Sequence, residues 1–311
     1  MKLSKHIKMS ELVESNYHLI GILSRLEIKG SFSDLTVEDV CRRYSLDADT
    51  FVLLCSVYSS KDYKVKDEEL ERCDIGDVLR YLHSSHEYYL NSALTNLSPS
   101  IEAMVAPTTP VQQMVIRCFF ENYRTELMKH FAYEEQTVIP YVNELLAGHP
   151  SASFTIANFE ENHSNIEESL SDLRRIVMQS MPAECDGDKR LEVLSKIFHL
   201  QEDLRHHTYI EDHILVPLVE MLEGRREGSP GHHSADESED SRNTLSEREN
   251  EVLVLVAKGL LNKEIADRLN ISVNTVITHR KNITRKTGIK TTAGLTVYSI
   301  LNGLLDISDF E

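Results

Sequence analysis

Two segments of the chain share a spacing that can hold a metal ion. One reads HFAYEEQTVIP from His130, and the other HTYIEDHILVP from His207. In each, a Glu follows the His by four residues, Glu134 or Glu211, and a run ending in apolar residues leads to Pro140 or Pro217. Residues four apart on a helix stack on one face. His130 therefore projects with Glu134, and His207 with Glu211. An imidazole and a carboxylate so placed can ligate one metal, and the carboxylate can bridge to a second. A single such pair is usually a surface ion pair; two copies with the same downstream Pro read as two half-sites of one centre. Further histidines occur at His163 in FEENHSNIEESL and at His83 and His86 in RYLHSSHEYYL. The last two are three apart, so both can lie near an interior. His199, His206 and His213 follow no such pattern and are expected at the surface or behind the ligands. His149 falls in a loop, and His232 and His233 in a polar stretch where they read as solvated.

The segments that must position these residues are helical in pattern. Four long helices are expected. The first runs from about Ile75 to Leu97, stopping near LSPS. The second runs from Pro110, capped by Thr109, to about Leu146. The third spans about Ser153 to Met181, and the fourth about Lys189 to Glu223. A Pro at the first helical position with Thr ahead of it is a start signal. Short connections between four such helices make an up-down four-helix bundle, with one His-bearing segment on each helix. Pro140 and Pro217 should mark similar bends near the helix ends. Residues 1–70 form a small helical unit ahead of the bundle at 75–223.

Those motifs resemble the hemerythrin-like domain of the repair-of-iron-centres branch. The resemblance implies a non-haem di-iron centre ligated by His83, His130, Glu134, His163, His207 and Glu211, with His86 as the alternative to His83 and with the two glutamates bridging. Mn or Zn would also suit the N/O donor set, but iron is what the family uses. The N-terminal unit is similar to the small helical domain that precedes the bundle in those proteins. Where they carry paired cysteines, this chain reads EIKGSFSDLTVEDVC: Gly30-Ser31 and Phe32-Ser33 can supply no thiolate, and Cys41 lies on a different pattern. Cysteine-dependent repair chemistry is accordingly not expected.

Residues 224–243 are rich in Gly, Ser, Asp and Glu and nearly free of large apolar side chains. Such a stretch reads as a linker. Beyond it, 244–311 read as a second module. Thr244 or Ser246 caps a helix over Glu247–Lys258 that Gly259 ends; NKEIADRL forms a short helix; NIS turns; VNTVITHRKNITRKT forms a third helix; TTAGLTVYSILNGLL closes the core. This is a helix-turn-helix. Val276 and Ile283 should face its core. The opposite face then carries Asn274, Ile277, Thr278, Lys281 and Arg285, a mixture of short apolar, hydroxyl, amide and cationic groups suited to a major groove. Ile277, Thr278 and Lys281 are expected near base edges, and Asn274, Thr275, Arg285 and Lys263 near phosphates. The stretches LSERENEVL, NKEIADRLNIS and NTVITHRKNI resemble the LuxR/GerE-type DNA-binding domain, which implies dimeric binding to an inverted repeat in double-stranded DNA.

Charge supports this division. From Asn243 onward, nine Lys and Arg stand against eight Asp and Glu, whereas the preceding residues carry 24 against 42. A net charge of −17 overall, with a local basic run in Val273–Lys290, suggests an anion-binding surface on an acidic protein. Five cysteines without a C-x-x-C pair argue against a disulfide framework. No run reaches the roughly 18 apolar residues that span a bilayer, and no signal segment is seen. The expectation is a cytoplasmic, dimeric, non-enzymatic transcription regulator sensing O2, NO, peroxide or redox state through two irons. The alternative is an iron-handling, iron–sulfur-repair or NO/peroxide-reactive protein tethered to DNA.

Overall fold

The computed structural model describes residues 3–32, 34–148, 155–156, 159, 164–224 and 245–306. Among these the regular structure is all helix; in place of strands there is an isolated antiparallel bridge between Lys8 and Thr36. The all-α class expected from the periodicity is the class observed. No described helix is long and apolar enough to cross a membrane. The expected linker at 224–243 lies, beyond Gly224, outside the described residues, as do His149, His163, His232 and His233.

The N-terminal helices are α1 (Met9–Ser15), α2 (Leu19–Arg25), α3 (Val37–Arg43), α4 (Ala48–Ser59) and α5 (Asp67–Leu70). Side-chain oxygens set the starts of α3 and α4: Thr36 Oγ1 accepts from Asp39 N at 3.2 Å, and Asp47 Oδ1 from Thr50 N at 2.7 Å. Four helical runs follow. The first is α6 (Ile75–Tyr88), a π segment π1 (Tyr89–Ala93) and α7 (Leu94–Val105). The second is α8 (Pro110–Tyr133), π2 (Glu134–Val138) and α9 (Ile139–Leu146). The third is α10 (Ser164–Gln179). The fourth is α11 (Gly187–Ile210), π3 (Glu211–Leu215) and α12 (Val216–Leu222). The C-terminal module holds α13 (Glu247–Ala257), α14 (Asn262–Leu269), α15 (Val273–Thr287) and α16 (Thr292–Leu301).

The first run does not stop at LSPS as its proline suggests. It continues through Pro99 to Val105. Burial of Leu97, Ile101, Met104 and Val105 favours the longer helix, and the Asn96 carbonyl beside the break accepts from Lys196 Nζ at 3.0 Å. Packing thus outweighs the local cost of proline. The third run, expected from Ser153, is described as helix only from Ser164.

The chain forms two compact units. The first comprises Met1–Ala93, Lys129–His163 and Glu202–Gly228; the second comprises Leu94–Met128, Ser164–Gln201 and Ser229–Glu311. Within the first, the N-terminal helices share one apolar core with the bundle segments: Leu12, Phe51 and Leu54 belong to the same buried cluster as Val78, Val142, Ile210 and Val219. An ion pair joins the buried Arg25 of α2 to the half-buried Asp203 of α11, with Arg25 Nη1 3.1 Å from Asp203 Oδ1 and from the Tyr58 hydroxyl. Within the second unit, polar links tie the helices: Ser100 donates to Glu192 at 2.8 Å, Arg117 to Glu102 at 2.7 Å, and Arg174 to Gln201 at 2.8 Å. The C-terminal module closes over Val252, Leu253, Val256, Ile265, Val276, Ile283 and Leu295.

Candidate metal centre and nucleic-acid interface

The repeated His–Glu–Pro spacing corresponds to a repeated backbone device. His130 and His207 lie in the last turn of α8 and α11, Glu134 and Glu211 open π2 and π3, and Pro140 and Pro217 stand at the second residue of α9 and α12. Proline supplies no N–H and its ring crowds the preceding turn. A single turn of wider π bonding ahead of it accommodates both effects. Where the prolines were expected to mark bends the helices carry these π turns, and each puts its Glu at the start of the widened turn.

Four side chains converge in the first unit. His86, Glu134, His207 and Glu211 are all buried and offer ligand atoms within 4.8 Å of one another. His86 Nε2 is 2.9 Å from Glu134 Oε2 and 3.2 Å from His207 Nε2. His207 Nε2 is 3.0 Å from Glu211 Oε1, and His130 Nε2 is 2.8 Å from Glu134 Oε1. Two imidazoles and two carboxylates therefore face one point out of water, and the partly buried His130 meets them through Glu134. Two buried carboxylates in one pocket are costly without compensating positive charge. The N/O donor set, its burial and its closeness fit one or two first-row divalent ions.

The resemblance favoured His83 with His86 as the alternative; the structure brings His86 into the cluster and leaves His83 outside it. The His83 side chain is 54% exposed, while the His86 side chain is 4% exposed and inside the cluster. Three residues apart, the two share one side of α6, and it is burial that separates them: His86 lies in the pocket and His83 at its edge. Glu135 then links the two: its Oε2 is 2.8 Å from His83 Nδ1 and its Oε1 2.6 Å from His86 Nδ1. A carboxylate on Nδ1 leaves Nε2 of His86 directed inward. Glu135 was missed in the sequence, although its place beside Glu134 in HFAYEEQ was the available signal.

The ring environment keeps the cluster dry. Phe131 stacks on His86 at 4.4 Å between centroids, and Tyr89 meets His207 edge-on at 5.4 Å. Burial alone would lower the His86 imidazole, but hydrogen bonds to Glu134 and Glu135 overcome it and raise it to about 9. His207 moves the other way, held well below its ordinary range by burial and then by the neighbouring His86 charge. Of the histidines outside the pattern, His199 and His213 are exposed, whereas His206 is buried against Tyr58 with ring centroids 4.1 Å apart.

In the C-terminal module Ser246 is the cap of α13: it accepts from Glu249 N at 3.2 Å while Glu249 accepts from Ser246 N at 2.7 Å. Val276 and Ile283 are fully buried, leaving the expected face outward. Asn274, Ile277, Thr278, Lys281 and Arg285 are exposed along α15, and Lys263 is exposed on α14. Thr275 is half-buried and bonds Ser272 at the start of α15, hydroxyl to hydroxyl at 2.8 Å. The basic run divides by role. Arg280 donates to Asn262 Oδ1 at 3.1 Å and Lys286 to Glu249 Oε2 at 2.7 Å, so these two hold the module together. Lys281 and Arg285 stand on the outward face. Leu261 and Val273, 70% and 40% exposed, border it and were not foreseen.

Comparison with known proteins follows this division. Residues 89–219 match the family model described as the hemerythrin HHE cation binding domain, and residues 243–299 that of the bacterial regulatory proteins of the luxR family. The chain is 34% identical over 134 residues to the transcriptional regulatory protein MctR of Rhizobium johnstonii, covering 42% of this chain and 60% of that protein. It is 20% identical over 187 residues to the iron-sulfur cluster repair protein ScdA of Staphylococcus haemolyticus, covering 58% of this chain and 83% of ScdA. It is 36% identical over 102 residues to the oxygen regulatory protein NreC of Staphylococcus carnosus, covering 33% of this chain and 45% of NreC. The chain thus spans three-fifths or less of the two regulators. No solved structure matches.

Proposed function

We propose a function for a chain that joins a hemerythrin-like HHE domain to a LuxR-type helix-turn-helix domain: a transcription regulator, working as a cytoplasmic homodimer on double-stranded DNA, whose bundle senses O2, NO, peroxide or redox state through a di-iron centre. The observation that carries it is the buried cluster of His86, Glu134, His207 and Glu211 in the same chain as an exposed basic reading helix. His86, His130, His207, Glu134 and Glu211 would hold the ions, with the two glutamates shared between them; His163, the further ligand implied by the resemblance, lies outside the described residues. Iron there would supply open coordination positions and an accessible change of oxidation state. The chain's part is to keep the site dry with Phe131 and Tyr89 and to fix His86 through Glu135. The names of MctR and NreC support the regulatory reading.

On DNA, Ile277, Thr278 and Lys281 would meet base edges, and Lys263, Asn274, Thr275 and Arg285 the phosphates. The test is metal content and absorption spectra of protein purified without oxygen, before and after air or NO, followed by DNA binding in each state. Two irons per chain, a changing spectrum and altered DNA affinity are expected. Protein that stays metal-free after anaerobic iron reconstitution overturns the sensor.

The similarity to ScdA favours a second reading, iron–sulfur repair. Two of the cysteines, Cys41 and Cys55, speak against thiolate chemistry at their own positions: burial pushes the Cys41 thiol up to about 12 and the Cys55 thiol well above its ordinary value. Reactivation of an oxidatively damaged iron–sulfur enzyme by the purified protein would favour repair.

A further inference from the structure

Glu168, Asp172 and Arg175 are spaced by four and three residues on α10 and therefore share one face. That face meets the turn between the reading helix α15 and the closing helix α16, all within the second unit. Asp172 is fully buried. Its carboxylate accepts from Lys290 N at 2.9 Å, from Thr291 N at 2.7 Å and from the Thr291 hydroxyl at 2.7 Å. Glu168 Oε1 is 3.9 Å from Lys290 Nζ.

Two glycines of the module make room for this contact. Gly288, at φ +69°, caps α15, and a Cβ there would run into the Arg175 guanidinium. Gly294 lies inside α16, where glycine costs about 1 kcal/mol relative to Ala; a Cβ there would sit 2.7 Å from Asp172 Oδ2 and equally near Ile289.

The charges on α10 also match the poles of the two helices they meet. A helix carries partial negative charge at its C-terminal carbonyls and partial positive charge at its N-terminal amides. Arg175 lies at the C-terminal end of α15 and Asp172 at the N-terminal end of α16. One cation and one anion, a single turn apart, thus face two opposite poles of the module. The reading face stays outward: Asn274, Ile277, Thr278, Lys281 and Arg285 remain exposed with the contact made.

We propose that this stripe of α10 is a docking surface for the α15–α16 turn of the chain's own DNA module, and that the bundle acts on DNA by setting the orientation of that module while leaving its reading face uncovered. The first clause stands on geometry alone; the second rests on the regulator reading above. Covalent connection keeps the module at an effective concentration on the order of millimolar. A small polar contact is then enough to hold it docked, yet weak enough to release. Communication through a dock also needs no stiffness in residues 224–243.

The experiment uses the full chain and its Asp172→Ala variant. Amide exchange is read at Lys290 and Thr291, and in the module core at Val252 and Leu253. Rotational diffusion of the module is followed by a label on α14. In the parent chain the module should tumble with the bundle. In the variant, exchange at Lys290 and Thr291 should rise roughly tenfold or more while the α13 core amides hold, and the module should tumble faster. Glu168→Lys should loosen the dock, and adding Lys290→Glu should restore it, which separates docking from folding. Independent tumbling in the parent chain, or unchanged exchange in Asp172→Ala, overturns the dock. Affinity for a duplex selected by the full chain from a random pool should change about fivefold or more in the variant; equal affinity with a loosened module overturns the second clause. None of the docking readouts requires metal, so a failed metal site and a failed dock are told apart.

Discussion

At the residue scale, the candidate centre depends on which histidine of α6 faces inward. His86→Ala should abolish metal retention by the anaerobically purified protein, whereas His83→Ala should leave most of it, as read by metal analysis per chain. Glu135→Gln keeps the shape of the side chain but weakens its hold on His86 Nδ1. Partners of this kind contribute about 10–100-fold to metal affinity. Competition against a chelator of known affinity should therefore place Glu135→Gln between the parent protein and His86→Ala; a variant binding as tightly as the parent would sink the positioning role. Away from the centre, Arg25 is a buried cation balanced by Asp203. Removing the partner of a buried charge leaves that charge uncompensated, at a cost of about 3–5 kcal/mol. Denaturant unfolding of Asp203→Ala should show a loss of that size.

At the element scale, the helix starts of the C-terminal module carry a measurable share of its stability. The reciprocal bonds between Ser246 and Glu249 satisfy two otherwise open amides of α13. Ser246→Ala should cost about 1 kcal/mol, seen as a lower unfolding midpoint for the module. Glu249 adds a pH signature. Burial would raise its carboxyl, but bonds to Lys286 and Ser246 prevail and hold it below the ordinary 4.5. A carboxylate with a lowered folded value contributes stability that is present above pH 4.5 and is lost as pH falls through the folded value. Glu249→Gln should flatten the stability profile on the acid side of pH 4.5; an unchanged acid slope would show that the Lys286 pair carries no such stability.

At the scale of the whole molecule, an acidic chain presents a small basic reading surface. Its DNA affinity should fall steeply with salt, by a slope of about 0.9 per phosphate neutralised. Arg285→Ala and Lys263→Ala should each reduce that slope by about one and weaken binding evenly across sequences. Ile277→Ala should leave the slope intact while relaxing sequence preference. Filter binding or fluorescence anisotropy across a salt series distinguishes the two patterns. Variants at Arg285 and Lys263 that leave slope and affinity unchanged would remove these residues from the interface.

Local spacing determined much of this protein. The 3.6-residue helical period made His130 with Glu134 and His207 with Glu211 legible as pairs, and it sorted Val276 and Ile283 from the outward face of α15. Proline and cap chemistry located Pro110, Ser246 and Gly259. These are short-range effects, decided within a turn or two of helix. What the sequence left open required contacts distant in the chain. Of two histidines three apart, the family resemblance favoured His83, and the contacts of Glu135 and Phe131 with His86 could not be read from the spacing. Pro99 read as a stop because its local cost is visible in sequence, while the burial of Ile101, Met104 and Val105 that outweighs it is not. The prolines pointed to bends, but that a π turn opening at a glutamate precedes each of them followed from the packed helices. Asp172 looked like any acidic residue of an amphipathic helix. Only the tertiary structure put its carboxylate on backbone amides of a module more than a hundred residues away, because hydrogen-bond partners are chosen by proximity in space and leave no periodic trace in the chain.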